Sequence, residues 1–389
     1  MNSRRRFLQQ ASGAAFTFGA APALFSWTLP PAQSRGIEIP GEDGLVVRSF
    51  RFVDLETPVE YFDRWLTPIP HFFVRNHMHE PISFDTTDWQ LTVGGEVEKP
   101  VNLTFTELSK LPMHSVVNTL ECAGNGRAYQ RPQVPGIQWG KGAVGNARFS
   151  GPRMRDVLER AGIKPSGKHV MFRGRDEVPG KVPPFIRSIP IEKALDSDTL
   201  IATHMNGAPI PKHHGAPARA LVPGWVGSAS CKWLTEIKVL DAEFVGNFMN
   251  PGYRMPNQPI KPGEAIKPED THPLAALNVK SVIAGPLDGS NLKTGKLNVH
   301  GVAWAGEADI VKVEISTDGG ASWNHATLGH DQAHYAWRLW SYEWNAQRGE
   351  HTILSRATDS QGRTQPEAPV WNPGGYFNNA IDRVKVHVA

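Results

Sequence analysis

The strongest signal in the sequence is one stretch of ten residues, Asn118-Thr119-Leu120-Glu121-Cys122-Ala123-Gly124-Asn125-Gly126-Arg127. An apolar strand end runs here into a turn of small residues, and a cation follows the turn. This arrangement would expose the Cys122 thiol and lower its pKa through backbone N–H groups and Arg127. The stretch therefore predicts a strand, a tight turn and a thiolate that acts as a nucleophile or as a metal ligand.

The second cysteine of the chain lies in a different setting. Cys231 belongs to Ser230-Cys231-Lys232-Trp233-Leu234, which resembles a strand, and we expect its side chain to be a small buried apolar group. A disulfide with Cys122 is the alternative in an oxidising compartment. The sequence has no Cys-x-x-Cys, so zinc-finger and iron–sulfur sites are unsupported, and no Cys-x-x-Cys-His indicates a covalent haem on this chain. A lone thiolate suits a metal whose other ligands come from an organic cofactor.

Two further segments are rich in cations. Phe72-Phe73-Val74-Arg75-Asn76-His77 places Arg75 and His77 on one face if the segment is extended. Residues 212–232 combine Lys, His and Arg side chains with several glycine turns. Such a combination suits a phosphate or an oxyanion, because Arg side chains and backbone N–H groups both donate hydrogen bonds to oxygen. No Gly-x-Gly-x-x-Gly follows a strand, so nicotinamide binding is not indicated.

The first thirty residues have the organisation of an export signal. Arg4-Arg5-Arg6-Phe7-Leu8 is followed by an uncharged, alanine-rich stretch and by Ala21-Pro22-Ala23. Paired arginines before Phe-Leu are typical of the twin-arginine signal, which directs folded proteins to the bacterial periplasm. A membrane anchor is the alternative, but Gly and Pro residues interrupt the apolar run. We therefore predict a signal peptide over residues 1–32 and a periplasmic protein that is exported already folded.

Length and charge limit what the remainder of the chain can be. With 389 residues, of which 40% are apolar and 20% charged, two folded domains are the default. The net charge of +3 is too small to indicate nucleic-acid binding. Residues 1–32 hold Arg4, Arg5 and Arg6 but no Asp or Glu, so the predicted mature protein is formally neutral. Any functional charge must therefore be local.

Residue periodicity changes near residue 270. Met154, Val157 and Leu158 have helical spacing and predict a helix over residues 153–161, and a second helix is expected over 106–111. Residues 85–97 resemble a strand pair. Six prolines between residues 250 and 273 mark a domain boundary or a long crossing segment.

Beyond the proline-rich segment the pattern has a period of two. Apolar residues alternate with polar ones over residues 311–316 and 384–388, and Asp318-Gly319-Gly320 is a turn signal between strands. Short alternating strands joined by glycine turns predict an antiparallel β-sandwich of immunoglobulin size.

Several motifs together resemble a known family, the sulfite oxidases and bacterial sulfite dehydrogenases, which carry a molybdenum–pterin cofactor. They extend in the family's order over nearly all of the mature chain: Phe73-Val74-Arg75-Asn76-His77, Leu120-Glu121-Cys122-Ala123-Gly124-Asn125, Met205-Asn206-Gly207, His214-Gly215, Val222-Pro223-Gly224, Lys232-Trp233-Leu234 and Trp371-Asn372-Pro373. The resemblance implies an α+β fold class. A mixed α+β molybdopterin-binding domain over residues 33–270 would precede an all-β immunoglobulin-like dimerisation domain over residues 271–389.

The resemblance also implies roles for individual residues. Cys122 would supply the only protein thiolate to molybdenum, and it would form the catalytic set with Arg75, Arg127 and Tyr253, which line the substrate pocket. A larger group would bind the pterin and its phosphate: Phe73, Val74, Arg75, Asn76, His77, Cys122, Asp176, His214, Arg219, Ser230, Cys231 and Lys232.

Two positions depart from the pattern of the family. The aromatic pocket residue between Arg148 and Ser150 is usually Trp and is Phe149 here. Many relatives place an Arg just before the last Gly of a Trp-Asn-x-x-Gly stretch, where this chain has Gly374. One oxyanion contact would then be missing or supplied elsewhere, for example by Arg254. These departures bear on the substrate more than on the cofactor.

By resemblance, we expect a periplasmic enzyme that oxidises sulfite to sulfate by oxygen-atom transfer. No cytochrome b5-like segment precedes the cofactor domain, so a separate c-type cytochrome is the expected electron acceptor. A homodimer without haem, membrane span or nucleic-acid partner is expected. The nearest alternative is a molybdopterin oxidoreductase that acts on a sulfane or reduces an S- or N-oxide. A non-catalytic periplasmic binding or adhesion protein is the alternative from another class.

Overall fold

Strands dominate the part of the chain that the structure, a computed structural model, describes, which is residues 44–50 and 52–389. The predicted signal peptide over residues 1–32 lies outside these residues. Three α-helices occur in the described part: α1 (Phe105–Leu108), α2 (Met154–Ala161) and α3 (Ile191–Ala194). This part is thus mostly β structure with few helices, and the α+β class of the first domain stays a prediction.

Sixteen strands precede residue 274 in the described part of the chain. They are β1 (Val46–Ser49), β2 (Asp54–Glu56), β3 (Val74–Arg75), β4 (Gln90–Gly95), β5 (Val101–Thr104), β6 (Met113–Glu121), β7 (Val144–Pro152), β8 (His169–Gly174), β9 (Ile186–Pro190), β10 (Leu200–Ala202), β11 (His204–Met205), β12 (Ala208–Pro209), β13 (Arg219–Leu221), β14 (Leu234–Leu240), β15 (Arg254–Pro256) and β16 (Thr271–Pro273). Short 3-10 helices lie between them at Val59–Asp63, Ile69–His71, Arg127–Tyr129, Lys212–His214, Gly227–Ala229 and Pro268–Asp270.

The largest sheet of this first part has five strands in the order β5-β4-β14-β8-β9. It is a mixed sheet, because β14 runs parallel to β4 while the other neighbours are antiparallel. A four-stranded sheet has the order β12-β11-β7-β6, and a three-stranded sheet has the order β1-β2-β3. Two strand pairs, β10-β13 and β15-β16, complete the set.

The helix predicted over residues 153–161 is confirmed as α2. Its side chains Met154, Val157, Leu158 and Ala161 are buried in one hydrophobic cluster with the apolar residues of β4. Positions three, four and seven residues apart lie on one face of a helix, which explains why all four side chains reach the core. Gly162 ends the helix with a φ of 69°, a value that favours glycine.

Nine strands follow residue 279. They are β17 (Lys280–Gly285), β18 (Ser290–Leu292), β19 (Gly295–Trp304), β20 (Ile310–Ser316), β21 (Asn324–His325), β22 (Thr327–Leu328), β23 (Arg338–Ala346), β24 (Gly349–Asp359) and β25 (Asp382–Val388). They form two sheets, β17-β19-β23-β22 and β18-β25-β24-β20-β21, whose apolar side chains share one core. All neighbouring strands are antiparallel except β18 and β25.

Some local predictions need correction. Residues 85–97 hold one strand, β4, whose antiparallel partner is β5, so this segment is not a strand pair by itself. The helix expected over 106–111 is the shorter α1. Val311 is exposed although Val313 and Ile315 are buried, because the register of β20 shifts between Ile310 and Lys312. A register shift of one residue moves a side chain to the other face of a strand.

The two groups of strands share no sheet but are packed together. Val282 and Trp304, which follow residue 279, belong to the same hydrophobic cluster as the core of the five-stranded sheet. Nε1 of Trp65 donates to the carbonyl oxygen of Trp337 at 3.2 Å, and Nε1 of Trp337 donates back to that of Trp65 at 2.8 Å. The domain boundary at residues 270 and 271 stays a prediction.

The longest α-helix in the described part of the chain has eight residues. No helix there has the length and apolar character that crossing a membrane requires.

Candidate active site

The turn that carries Cys122 begins where β6 ends. The backbone N–H of Cys122 donates to the carbonyl of Ala143 at 2.9 Å, and the N–H groups of Asn125 and Arg127 donate to the carbonyls of Cys122 and Gly124, both at 2.9 Å. A Cβ atom at Gly124 would lie 2.5–2.6 Å from the Arg127 guanidinium, so a side chain at this position would displace Arg127. The predicted strand followed by a turn of small residues is confirmed.

The thiol of Cys122 is half-buried and makes no disulfide in the described structure, and neither does Cys231. Burial raises the pKa of the Cys122 thiol, and the nearby cations Arg75 and Arg127 oppose this effect only in part. The expectation of a lowered pKa is therefore wrong for the protein without a cofactor, because removal from water outweighs the attraction of the cations. A coordinated metal would deprotonate the thiol directly.

A cavity lies beside this turn and brings together most of the predicted site. Its lining includes these predicted residues: Phe73, Arg75, His77, Cys122, Asp176, His214, Arg219, Ser230, Cys231, Lys232 and Tyr253. The residues that sequence reasoning missed are Phe72, Leu120, Ala123, Phe185, His213, Gly227, Ser228 and Trp233. Several of them are neighbours in sequence of predicted residues, whereas Phe185 had no sequence signal.

Two predicted cofactor residues do not line the cavity. Val74 is buried in a small core with Leu45 and Leu55. Asn76 is buried as well, and its Oδ1 accepts a hydrogen bond from Nζ of Lys232. Val74 and Asn76 therefore support the cavity wall rather than form it.

Arg75 is held by its strand partner. The register of β2 and β3 pairs Asp54 with Arg75, and Nη1 of Arg75 lies 3.1 Å from Oδ1 of Asp54. The same Nη1 also donates to the carbonyl of Asn76. Asp54 is almost completely buried, so this ion pair fixes the position of Arg75 at the cavity wall.

The cavity lining also includes two cations without an acidic partner, the buried Arg219 and the partly exposed Lys232. Arg219 donates to the carbonyls of His214 at 2.9 Å and Ser230 at 2.8 Å, and Lys232 donates to Asn76 and to the carbonyl of His213. Neither cation forms an ion pair with a carboxylate of the described residues. Burial lowers the pKa of Arg219 to about 10 and that of Lys232 to about 7.

These features fit an anionic cofactor. Buried cations are costly unless a negative charge pairs with them, and a phosphate provides that charge. Oγ of Ser228, which lines the cavity, is buried without a hydrogen-bond partner in the described structure, so it is available to a bound group. The cations, the free hydroxyl and the Cys122 thiol together fit a pterin phosphate and a metal.

His77 and Tyr253 form a pair in the cavity wall. Nε2 of His77 is hydrogen-bonded to the Tyr253 hydroxyl, and the His77 ring stacks on Phe185 with centroids 4.0 Å apart. Burial and then the charges of Arg75 and Lys232 hold the pKa of His77 well below its usual range, so His77 is neutral. Burial raises the pKa of Tyr253, so its hydroxyl keeps its proton and can donate.

The backbone of Tyr253 is strained. Its φ of 56° lies in the left-handed region, which costs a residue with a side chain roughly 1–3 kcal/mol. Tyr253 belongs to the proline-rich segment after residue 250, and β15 begins immediately after it. The segment that was predicted to cross between domains thus reaches the cavity, as expected for Tyr253.

Arg127 is buried beside the cavity but does not line it. Its Nε donates to the carbonyl of Gly374 and its Nη1 to the carbonyl of Ile137, both at 2.9 Å, and its guanidinium lies 5.5 Å from the centre of the Tyr376 ring. A Cβ atom at Gly374 would lie 2.1 Å from the Tyr376 ring, so a side chain there would require this ring to move.

Two expectations about the substrate pocket are wrong. Phe149 is completely buried in a core cluster and does not line the cavity. Arg254 does not lie at the cavity either, because its Nη1 is paired with Oε1 of Glu243 at 2.6 Å and its Nε donates to Oγ1 of Thr271 at 2.7 Å. Arg254, one candidate for the missing oxyanion contact, is therefore not placed to supply it.

Comparison with known proteins agrees with this geometry. Residues 77–248 match the family model described as oxidoreductase molybdopterin binding domain, and residues 271–389 match the one described as Mo-co oxidoreductase dimerisation domain. The fold and the site thus define a molybdopterin oxidoreductase. The chain is 36% identical over 362 residues to the sulfite oxidase of Gallus gallus, a match that covers 88% of this chain and 78% of that protein. It belongs to the sulfite oxidase family.

Other relatives differ in length and substrate. The chain is 34% identical to the mitochondrial sulfite oxidase of Rattus norvegicus and spans 66% of that protein's length, with 88% of its own length matched. The crystal structure of the sulfane dehydrogenase SoxCD from Paracoccus pantotrophus superimposes with a TM-score of 0.75 at 26% identity and covers 98% of this chain and 96% of that one.

Proposed function

We propose that this chain oxidises sulfite to sulfate by oxygen-atom transfer. The observation that carries the proposal is the Cys122 thiol at a cavity where Arg219 and Lys232 lack acidic partners, in a chain of the sulfite oxidase family. When bound, the molybdenum–pterin cofactor would supply the oxygen-atom transfer and hold the two electrons that the substrate loses.

Three residues of the cavity lining would hold the phosphate of the pterin, and Cys122 would hold the metal. Arg219 and Lys232 would pair with the phosphate charge, and the Ser228 hydroxyl would donate to one of its oxygens. Cys122 would supply the thiolate ligand of molybdenum. Asn76, which binds Lys232 from outside the cavity, would keep that ammonium group directed inward.

The other residues would bind and orient the substrate. Arg75 at the cavity wall would attract a small doubly charged anion, and the buried Arg127 beside the cavity would add positive charge without touching it. The protonated Tyr253 hydroxyl would donate a hydrogen bond to the anion. Fixed cations of this kind can contribute roughly 3–4 kcal/mol each where they stabilise developing charge. The rings of Phe185 and Phe248, which pack around His77, would keep water away from the substrate.

Oxidation of a sulfane is the second candidate. The likeness to the sulfane dehydrogenase SoxCD over almost the whole chain favours it. A sulfane substrate is larger than sulfite. The two candidate functions differ in the substrate that is oxidised, and they use the same cofactor. Reduction of an S- or N-oxide is a third candidate, which a separate assay would detect as oxidation of a reduced electron donor on addition of the oxide.

Location and partners complete the proposal. The paired arginines near the N-terminus support export to the periplasm in folded form, and a c-type cytochrome would accept the electrons there. The match of residues 271–389 to a dimerisation domain supports a homodimer.

One assay tests the proposal. The purified protein with its cofactor is mixed with oxidised cytochrome c, and the reduction of haem is followed after addition of sulfite or of thiosulfate, which contains a sulfane sulfur. We expect sulfite to give the higher kcat/KM. A higher value for thiosulfate would favour the sulfane candidate, and no reduction with either, in protein that contains about one molybdenum per chain, would contradict both. Protein made in cells that cannot synthesise the cofactor is the control.

A further inference from the structure

Arg187 is a buried cation that none of the roles above uses. It lies in β9, is 1% exposed, and its Nη1 donates to the carbonyl of Phe248. Its Nε is buried without a hydrogen-bond partner in the described structure, and the guanidinium forms no ion pair there. Its guanidinium lies 5.1 Å from the centre of the ring of Tyr253, and Tyr253 lines the cavity. Arg187 therefore lies behind this part of the cavity wall.

A chain of ring contacts connects Arg187 with Arg127. The guanidinium of Arg187 lies 5.1 Å from the centre of the Tyr253 ring, and the Tyr253 ring stacks on Tyr376 with centroids 5.4 Å apart and planes inclined by 15°. Arg127 lies 5.5 Å from the centre of the Tyr376 ring. Two tyrosines are thus held between two cations, and one of them bears the hydroxyl that contacts His77.

We infer that Arg187 is a specificity-determining residue, which acts through Tyr253 and makes the substrate pocket select doubly charged oxyanions over singly charged ones. The inference rests on the proposed function, because it assumes that the substrate is a small anion bound near Tyr253. Arg187 acts as a positioning residue, since its contact is with the Tyr253 ring.

Three physical reasons support this role. A cation over an aromatic ring attracts the ring's electrons, so it holds Tyr253 in place and strengthens its hydroxyl as a donor. Burial lowers the pKa of Arg187 only to about 10, so the side chain stays charged at neutral pH. An unpaired buried charge is costly, and an anion in the cavity reduces that cost.

Three other positions that could give the substrate pocket an unpaired positive charge do not do so. Gly374 carries no charge, and a side chain there would require the Tyr376 ring to move. Arg254 is neutralised by Glu243. Arg75 is likewise paired with Asp54. Arg187 therefore adds positive charge that no carboxylate near Tyr253 cancels by direct contact.

The test compares two tetrahedral anions of similar size, sulfate with two charges and perchlorate with one. Their dissociation constants are measured by calorimetry on the protein with its cofactor, for the wild type, Arg187→Met and Arg187→Lys. Arg173→Met is the matched control, because Arg173 is an exposed cation on the neighbouring strand β8. Cofactor content and thermal unfolding show whether each variant is folded.

We expect Arg187→Met to weaken sulfate binding roughly tenfold and perchlorate binding about threefold, because an electrostatic energy scales with the charge of the ligand. Arg187→Lys should stay within about threefold of the wild type for sulfate, and Arg173→Met should match the wild type. Equal losses for both anions, or no loss for sulfate, would overturn the inference.

Two further outcomes distinguish a failure of this inference from a folding defect and from a failure of the proposed function. If Arg187→Met does not fold, Arg187→Gln, which also removes the charge, carries the test, and a loss of sulfate binding in folded Arg187→Gln that equals its loss of perchlorate binding counts against the inference. If the wild type binds sulfate but does not oxidise sulfite, the proposed function fails while the charge selectivity of Arg187 can still be confirmed or rejected.

Discussion

Nζ of Lys280 donates a hydrogen bond of 2.9 Å to Oε1 of Glu121, the residue immediately before Cys122. Both side chains are only 8% exposed. Oε2 of Glu121 accepts from Nε1 of Trp304 at 2.9 Å, and its Oε1 also accepts from Nδ2 of Asn125. Lys280 and Trp304 belong to the strands after residue 279, so this group of strands supports the turn that presents the thiol.

Replacement of Lys280 by Met should therefore destabilise the protein. It leaves the Glu121 carboxylate buried without its cation, and breaking a buried ion pair costs about 3–5 kcal/mol. The shift of the denaturant midpoint measures this loss. Lys296→Met is the control, because Lys296 forms an exposed pair with Glu343 and should cost less than about 1 kcal/mol. Equal shifts in the two variants would contradict the role of Lys280.

The two cysteines should differ sharply when replaced. Cys122→Ser should lower kcat by more than roughly 10–100-fold. That range is typical when the replaced residue only contacts a metal ligand, whereas Cys122 would be the ligand itself. Cys231→Ala should keep its molybdenum and most of its activity, since Cys231 is buried and lines the cavity without a role as ligand in the proposal. Metal analysis and the cytochrome c assay on both variants check this. Normal activity in Cys122→Ser would exclude the assigned thiolate ligand.

Lys232 should make the stability of the cofactor-free protein depend on pH. Burial lowers its pKa to about 7 from 10.5, so between these values the unfolded chain binds more protons than the folded one. The free energy of unfolding should therefore rise with pH from about 7 towards 10.5, and the contribution of this group is lost as the pH falls through 7. Denaturant midpoints at pH 7 and pH 9 measure the effect.

Lys232→Met isolates the contribution of this residue. The difference between its midpoints at the two pH values should be smaller than in the wild type, because the other titrating groups are unchanged. Identical pH dependence in both proteins would show that Lys232 is not a buried, weakly basic amine.

Gly124→Ala should impair anion binding more than folding. The new methyl group would lie 2.5–2.6 Å from the guanidinium of Arg127, which must move away from its two carbonyl acceptors. We expect KM for sulfite to rise roughly tenfold with a smaller change in kcat, as for loss of uniform binding. In the control Gly94→Ala the added methyl meets nothing within 4 Å, so its kinetics should equal those of the wild type. A wild-type KM in Gly124→Ala would mean that Arg127 does not contribute to substrate binding.

Local patterns predicted the elements that depend on near neighbours in sequence. The helix over residues 153–161 and the turn after β6 followed from spacing and from small residues, because their hydrogen bonds join positions a few residues apart. Val311 was misjudged since a register shift depends on the partner strand β24. Arg187 gave no sequence signal at all, because nothing near it in the chain indicates a buried cation.

The sequence by itself determined the family, the thiolate candidate Cys122 and most of the side chains that surround the cavity. Only the tertiary structure decided which cations keep an unopposed charge. Arg254 meets Glu243 and Arg75 meets Asp54, whereas Arg187, Arg219 and Lys232 meet no carboxylate directly. The reason is that pairing and burial depend on residues far apart in the chain, and they set both the charge that an anion experiences and the pKa values of the groups around it.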